Sequence, residues 1–385
     1  MKACRGCSGD LEPVLDLGWV PAADHFPPAA TPVTENESNH HLTLHLCHGC
    51  ALAQLGDDDT EPEVPLGIEP QALRDQAVAA VQAVASEGWL RGRTVVEFGS
   101  PHGGTWLPLL AERGFQVEAP GTPAAVVLDS FGIMHEPDQR AAFRERAAAV
   151  ADDGVLLLQF HSLAAILSSG EWNALRHGHF AYYSLTALQR LLHDAGLHVV
   201  DAWEFDLYGG TVLLAAQRTP GTRPAPAVRR ILAEEAAAGV TVAAMIHQLQ
   251  GTADEQAATL RTWLESEARR ERRIFAYGAA SRSVSLFARA GVDRTLVTAV
   301  ADASYAKQGR RMPGTDVPII SPEQLLQARP DRVLLTLPDL LPEVQRHYPE
   351  LDGRWRIAAD GTPPAPTTSR RSRRDSFDVG NEVHP

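Results

Sequence analysis

The stretch Thr94-Val95-Val96-Glu97-Phe98-Gly99-Ser100-Pro101-His102-Gly103-Gly104 decides how this chain is read. A short apolar run rich in β-branched residues ends at a glycine, a glycine-containing turn follows, and the next residues, from about Thr105 to Arg113, read as a helix. Strand, glycine turn and helix in that order open a nucleotide-binding α/β unit. The glycines let backbone approach a ligand closely, and the helix start presents unpaired N–H groups to it. Outward from this point, strands read at 115–118, 125–129, 154–160, 198–205 and 211–216, with helices at about 139–151 and 184–195. Only six residues separate Glu118 from Ala125. A βαβ crossover needs at least about 10–12, so the expected sheet lacks a third strand, which would lie at its edge.

Upstream, all four cysteines fall in the first 50 residues, as Cys4-x2-Cys7 and Cys47-x2-Cys50. Two residues between cysteines let both sulfurs of a tight turn face one point, and two such knuckles close a tetrahedral Zn²⁺ site with no position left for water. The metal expected at Cys4, Cys7, Cys47 and Cys50 is therefore structural. Downstream, a Pro/Gly/Thr-rich stretch at 219–226 marks a boundary. Two alanine-rich helical stretches follow, at about 227–250 and 253–271, and then a second α/β unit opens with Ile274-Phe275-Ala276-Tyr277-Gly278-Ala279-Ala280. Strands at 297–301 and 332–337 alternate with helices in that unit, which implies a parallel sheet. The expected division is a zinc module at 1–56, a linker and helix at 57–90, an α/β domain at 91–218, a second α/β domain at 225–362 and a disordered tail at 363–385.

Composition narrows the function classes. The chain of 385 residues is 44% hydrophobic and 22% charged, as soluble proteins with real cores are. Its formal charge of −13 argues against tracking nucleic acid by bulk electrostatics. No apolar run approaches the about 18–20 residues of a membrane span, and no signal peptide is evident, so a cytoplasmic protein is expected.

Glu97-x-Gly99-x-x-x-Gly103 is the spacing that S-adenosylmethionine (SAM) methyltransferases use after their first strand, and Glu118 closes the next strand, where such enzymes hold the ribose hydroxyls. Together with the cysteine module and the second α/β unit, this combination resembles the deoxysugar C-methyltransferase family. The match runs through Leu15-Asp16-Leu17-Gly18-x-x-Pro21, Leu46-Cys47-x-x-Cys50-x-x-x-Gln54-Leu55 and Asp129-Ser130-Phe131-Gly132-Ile133-Met134-His135. It is densest in Tyr277-Gly278-Ala279-Ala280-Ser281-Arg282 and in the segment from Asp302-Ala303-Ser304 through Lys307-Gln308-Gly309-Arg310 to Met312-Pro313-Gly314-Thr315. The resemblance implies a zinc module, a Rossmann-like SAM domain and a second Rossmann-like domain. It also implies methyl transfer to the carbon beside a ketone of a nucleotide-linked keto-deoxysugar. Cofactor contacts are expected at Glu97, Gly99, Gly103, Glu118 and Asp129, and substrate contacts at Tyr182, Tyr277, Gly278, Arg282, Lys307 and Arg310.

The chain departs from the family where the chemistry sits. The family's Tyr-His-Glu-His-like run reads Arg176-His177-Gly178-His179 here, which retains the second histidine and replaces the tyrosine and glutamate. C-methylation beside a ketone needs a base for the α-proton and a partner for the enolate oxygen. His179 supplies the first, with His177 beside it, and Arg176 the second. Two alternatives share these residues: a SAM-independent epimerase, isomerase or lyase using a His179-generated enolate, and a non-catalytic binder of a sugar nucleotide or partner.

Overall fold

In this computed structural model the described residues are 3–60, 69–101, 103–119, 121–219 and 224–358. Part of the expected linker, residues 61–68, His102 of the glycine turn and the tail at 363–385 therefore lie outside the described residues. The chain begins with β1 (Leu11–Val20), β2 (His40–Cys47) and β3 (Ala53–Leu55), paired antiparallel in that order. Alternation along β2 buries Leu42, Leu44 and Leu46, so one face of this small sheet is apolar and needs a cover.

After α1 (Gln71–Ser86) the central unit starts with β4 (Thr94–Phe98), the quoted stretch, followed by α2 (Leu107–Ala111) and β5 (Gln116–Val117). Then come β6 (Ala124–Ser130), α3 (Gln139–Ala149), β7 (Val150–His161) and α4 (Leu163–Ser169). Helix α3 starts where the Asp138 side chain accepts from the Ala141 N–H, and α4 starts where Ser162 accepts from the Ala165 N–H. The two-residue β8 (Ala181–Tyr182) leaves this unit and pairs with β3, Ala53 opposite Tyr182, completing the N-terminal sheet. The chain returns through α5 (Leu185–Asp194), β9 (His198–Phe205) and β10 (Thr211–Gln217).

The central sheet runs in the order β5-β4-β6-β7-β10-β9. Its first four strands are parallel and β10 and β9 add an antiparallel pair. Among the described residues no strand lies between β5 and β6, so β5 is the edge, as the short interval after Glu118 implies.

The C-terminal unit opens with α6 (Pro226–Ala238) and α7 (Ala243–Arg269). The expected break near 251 is instead at Gly239, which caps α6 with φ +69°, and α7 runs unbroken for 27 residues, about 40 Å at 1.5 Å per residue. A parallel sheet follows, built from β11 (Ile274–Tyr277), β12 (Val300–Ala301), β13 (Ile319–Ile320), β14 (Arg332–Leu335) and β15 (Trp355–Ile357) in the order β13-β12-β11-β14-β15. Helix α8 (Ser281–Ala290) follows β11.

The units share cores. Ile246, Leu249, Ala253, Ala257, Leu260 and Leu264 recur on one face of α7, and that face buries the apolar side of β1 and β2 in a single core. Cys4, Cys47, Cys50 and Leu52 belong in turn to the core of the central unit, beside Leu191 and Leu192 of α5. The segment 57–60 is likewise more than a linker, because the Asp58 carboxylate accepts from the Gly178 N–H at 2.7 Å.

Candidate active site

The four cysteine sulfurs lie within 4.8 Å of one another, with Cys4 Sγ 3.5 Å from Cys50 Sγ and Cys7 Sγ 3.4 Å from Cys47 Sγ. Backbone N–H groups of Gly6, Gly9 and Cys50 point at Cys4, Cys7 and Cys47 sulfurs, as they do around thiolates. The crowding splits the thiols. A hydrogen bond with Cys50 draws Cys4 down to about 5, burial pushes Cys47 up to about 11, and the Cys4 partner drives Cys50 higher still. A divalent cation is what allows such a cluster to hold several thiolates at once, so the donor set fits zinc.

The second centre follows from topology. In a parallel sheet, ligands sit beyond the carboxyl ends of the strands. Ser100, Gly103 and Gly104 follow β4, Ser130 ends β6, Phe131 and His135 follow it, and His161 ends β7. All of them line one cavity of about 260 Å³. The C-terminal sheet turns its own carboxyl ends to the same space, so Ser281 and Arg282 after β11, Lys307 after β12 and Asp339 after β14 line it too.

On the donor side, Gly103 and Gly104 have φ +80° and +84°, a region that favours glycine. A Cβ on Gly99 or Gly103 would meet no protein atom within 4 Å, so the turn opens onto space. Glu97 does not line the cavity. Its carboxylate accepts from the Trp106 N–H at 2.8 Å and from the Thr105 hydroxyl, bracing the turn against α2. Glu118 sits past the edge strand and does not line the cavity either. The turn itself fits SAM, and the ribose and adenine end is the less furnished part.

Asp129 departs from its expected role. It is fully buried, its Oδ1 accepts from Gly132 and Ile133 N–H at 2.7 and 3.0 Å, and its Oδ2 accepts from Arg146 Nε at 3.0 Å. It anchors the loop that carries His135. Both carboxylate oxygens already have partners, so it cannot face a cofactor in the cavity.

On the chemical side, Arg176 and His179 line the cavity together. The Arg176 guanidinium lies against the imidazole, with Nη2 at Nε2 and Nε 3.5 Å from Nδ1. Tyr182 accepts from the Arg176 N–H at 2.9 Å and so fixes the loop. Arg176 Nη1 is 3.6 Å from the carboxylate of Asp24, which also accepts from the Ser281 hydroxyl. Lys307 is buried rather than solvated. Its ammonium donates to the Ala279 carbonyl at 2.6 Å and sits 4.8 Å over the Phe26 ring, and burial lowers its pKa.

Sequence reasoning left His135 and His161 without roles. The ring of His135 meets that of His179 edge-on at 4.6 Å, and its Nδ1–H donates to the Gly178 carbonyl at 2.9 Å, which leaves Nε2 as the basic nitrogen. His161 sits beside Glu171 and Tyr208, and burial lowers its pKa to about 3. The available signal for both was position at the carboxyl end of a parallel strand.

Four other expected contacts lie elsewhere. His177 is 4% exposed, faces a neighbouring cavity and has Nε2 3.4 Å from the His41 carbonyl. Tyr277 packs on Tyr348 and Trp355, and its hydroxyl is 3.3 Å from that of Tyr348. Gly278 has φ +94° and donates its N–H to the Ala301 carbonyl, so it shapes the turn that carries Arg282. Arg310 donates to the Phe26 carbonyl at 2.6 Å and ties the C-terminal unit to the N-terminal one.

Comparison with known proteins matches three successive stretches of the chain. Residues 4–63 match a zinc-binding domain model, 72–202 a methyltransferase domain model, and 206–356 a C-methyltransferase C-terminal domain model. The C-methyltransferase NovU of Streptomyces niveus is 28% identical over 249 residues, 64% of this chain. The match spans 59% of that relative's length. Among solved structures, a 1,6-didemethyltoxoflavin N1-methyltransferase of Burkholderia thailandensis, solved with S-adenosylhomocysteine, is 15% identical. That match covers 44% of this chain and 96% of the other, with a TM-score of 0.30. A magnesium protoporphyrin IX methyltransferase of Synechocystis gives 15% identity, coverage of 40% and 90%, and a TM-score of 0.29. Both scores are too low to bear on the fold. The three matches follow one another along the chain from residue 4 to 356, a zinc-binding domain, a methyltransferase domain and a C-methyltransferase C-terminal domain.

Proposed function

We propose that the protein is a SAM-dependent C-methyltransferase acting on the carbon beside a ketone of a nucleotide-linked deoxysugar. One observation carries this reading: the glycine turn of a methyl-donor site, two histidines in ring contact and the cations Arg176, Arg282 and Lys307 all line a single cavity. A SAM-independent isomerase or a non-catalytic binder would have no use for the turn beside the histidines. The deoxysugar is supported by the likeness to NovU and by the cationic C-terminal wall, which suits a diphosphate.

SAM held at the turn supplies an electrophilic methyl group. The protein's own task is to form the enolate. His135, with its Nδ1–H on a carbonyl, is set to accept the α-proton at Nε2, because that hydrogen bond stabilises the resulting imidazolium. His179, expected to be the base, bears the Arg176 guanidinium at Nε2, which opposes a second positive charge there. We therefore assign His179 and Arg176 to the developing oxyanion.

Two measurements test this. Calorimetry with SAM should give an affinity in the tens of micromolar or weaker, since among the described residues no strand lies between β5 and β6 and each 1.4 kcal/mol of lost contact costs about tenfold. Sub-micromolar binding would contradict the account of the pocket, and no binding would remove methyl transfer. Solvent deuterium exchange beside the ketone should fall by about 10²–10⁴-fold in His135→Ala. Exchange at the wild-type rate would exclude His135 as the base.

A further inference from the structure

Arg5 lies inside the Cys4-x2-Cys7 turn, flanked by two ligands of the sulfur cluster. Its backbone is held on both sides. The Arg5 N–H donates to Gln54 Oε1 at 2.8 Å, and the Arg5 carbonyl accepts from the Arg140 N–H at 3.2 Å. The side chain therefore starts from a turn whose shape is fixed once the four sulfurs share a metal. Nη1 donates to the Pro137 carbonyl and Nη2 to the Gly56 carbonyl, both at 3.0 Å, and the guanidinium carbon sits 4.8 Å over the Phe180 ring.

These contacts fall on the two loops that carry the histidine pair. Pro137 is two residues past His135, and Phe180 follows His179. The loops also hold one another, because the Phe180 N–H donates to the Met134 carbonyl at 2.7 Å and His135 Nδ1 donates to the Gly178 carbonyl at 2.9 Å. Behind them stands the end of β3, where the Leu55 N–H donates to the Phe180 carbonyl at 3.2 Å and Gly56 receives Arg5. A planar guanidinium can meet two carbonyls and a ring face together, which a compact ammonium does poorly. Arg5 Nε, by contrast, is buried with no hydrogen-bond partner. An unmade buried donor is costly, so the side chain is placed for the two carbonyls and the ring rather than for its own fullest bonding.

Arg140 shows what simple attachment of the knuckle looks like. Its side chain donates to the Gly6 carbonyl and to the Ser8 hydroxyl, each at 3.1 Å, and those bonds touch neither histidine loop.

We propose that Arg5 is a positioning residue for the histidine pair: by bonding the Pro137 carbonyl and bearing on the Phe180 ring, it passes the geometry of the zinc knuckle to both loops and keeps the rings of His135 and His179 in edge-on contact at 4.6 Å. The proposal rests on the methyltransferase reading for the roles of those two rings, and it extends the reach of the metal site from the N-terminal sheet to the reaction centre.

The test uses the full zinc-loaded chain with isotope-labelled histidine, the two rings being assigned by their loss in His135→Gln and His179→Gln. Wild type should give a nuclear Overhauser signal between them. Arg5→Met keeps an unbranched stem and removes the guanidinium. It should retain one zinc by metal analysis, weaken the ring-to-ring signal several-fold and speed amide exchange at Phe180 about tenfold. Arg140→Met, which loosens the knuckle away from the loops, should leave the ring-to-ring signal as in wild type. Where Arg5→Met does not fold, Arg5→Lys is read for the same loss, since one ammonium cannot bond both carbonyls and cover the ring at once. No signal in wild type, an undiminished signal in the Arg5 variant, an equal loss in Arg140→Met, or loss of zinc from the Arg5 variant overturns the proposal. Calorimetry of wild type with S-adenosylhomocysteine tests the methyltransferase reading separately, because the contact between the two rings stays measurable whether or not that ligand binds.

Discussion

His161 makes the native state acid-sensitive by an amount that can be worked out. Burial holds its pKa at about 3 in the folded protein, against about 6.5 for an unperturbed histidine. The unfolded chain therefore takes up a proton as pH falls below about 6.5 and the folded chain does not, so stability present above that pH is lost on the way down to the folded pKa. The slope is about 1.4 kcal/mol per pH unit, which at pH 4.5 amounts to about 2.7 kcal/mol. That is a large share of the about 5–15 kcal/mol that holds a typical domain folded. Glu171, whose nearest carboxylate oxygen is 3.8 Å from His161 Nε2, has its pKa raised by burial and contributes the opposite slope. Comparing wild type with His161→Gln cancels most of that contribution, because Glu171 is present in both. Urea unfolding at pH 7 and at pH 4.5 should show the variant losing about 2–3 kcal/mol less than wild type on acidification. Parallel pH dependences would mean that His161 takes its proton in the folded state, and the desolvation argument would fail.

Freshly purified protein should contain one zinc per chain, and Cys47→Ser should lose it and unfold at lower denaturant; metal analysis decides this. Asp129→Ala leaves the 2% exposed Arg146 without its buried partner. It should cost about 3–5 kcal/mol in urea unfolding, and a cost below about 1 kcal/mol would show that the pair is dispensable. Gly278→Ala would put a Cβ 2.7 Å from Thr336 Oγ1 at φ +94°, so a loss of about 1–3 kcal/mol is expected in the same assay.

The strand–turn–helix opening, the zinc ligands and the missing edge strand were legible because each rests on local spacing: two residues between cysteines, glycines after an apolar run, six residues after Glu118. The roles of Asp129 and Tyr277 were not, because an acid or a phenol at a strand end looks the same in sequence whether it faces a ligand or a buried partner. Arg146, seventeen residues from Asp129, decided one case and Tyr348 the other. His135 was visible as a residue but not as a neighbour of His179, since its orientation depends on a carbonyl 43 positions away. That the units share one core was hidden for a similar reason. Patterning along β1 and α7 shows that each has an apolar face but not that they cover one another.

The pairing of β3 with β8 has a consequence for biosynthesis. The N-terminal sheet takes its last strand from Ala181–Tyr182, two residues after His179. At about 5–20 residues per second, a ribosome needs roughly 6–25 seconds after making Leu55 before Tyr182 follows. Through that interval Ala53, Gln54 and Leu55, all buried in the finished protein, present an unpaired edge, and the apolar face of β1 and β2 waits longer still for α7. Zinc captured early by Cys4, Cys7, Cys47 and Cys50 would hold the knuckles together while the rest of their surroundings is being made. A nascent chain starved of zinc during that delay is the form most exposed to aggregation through β3.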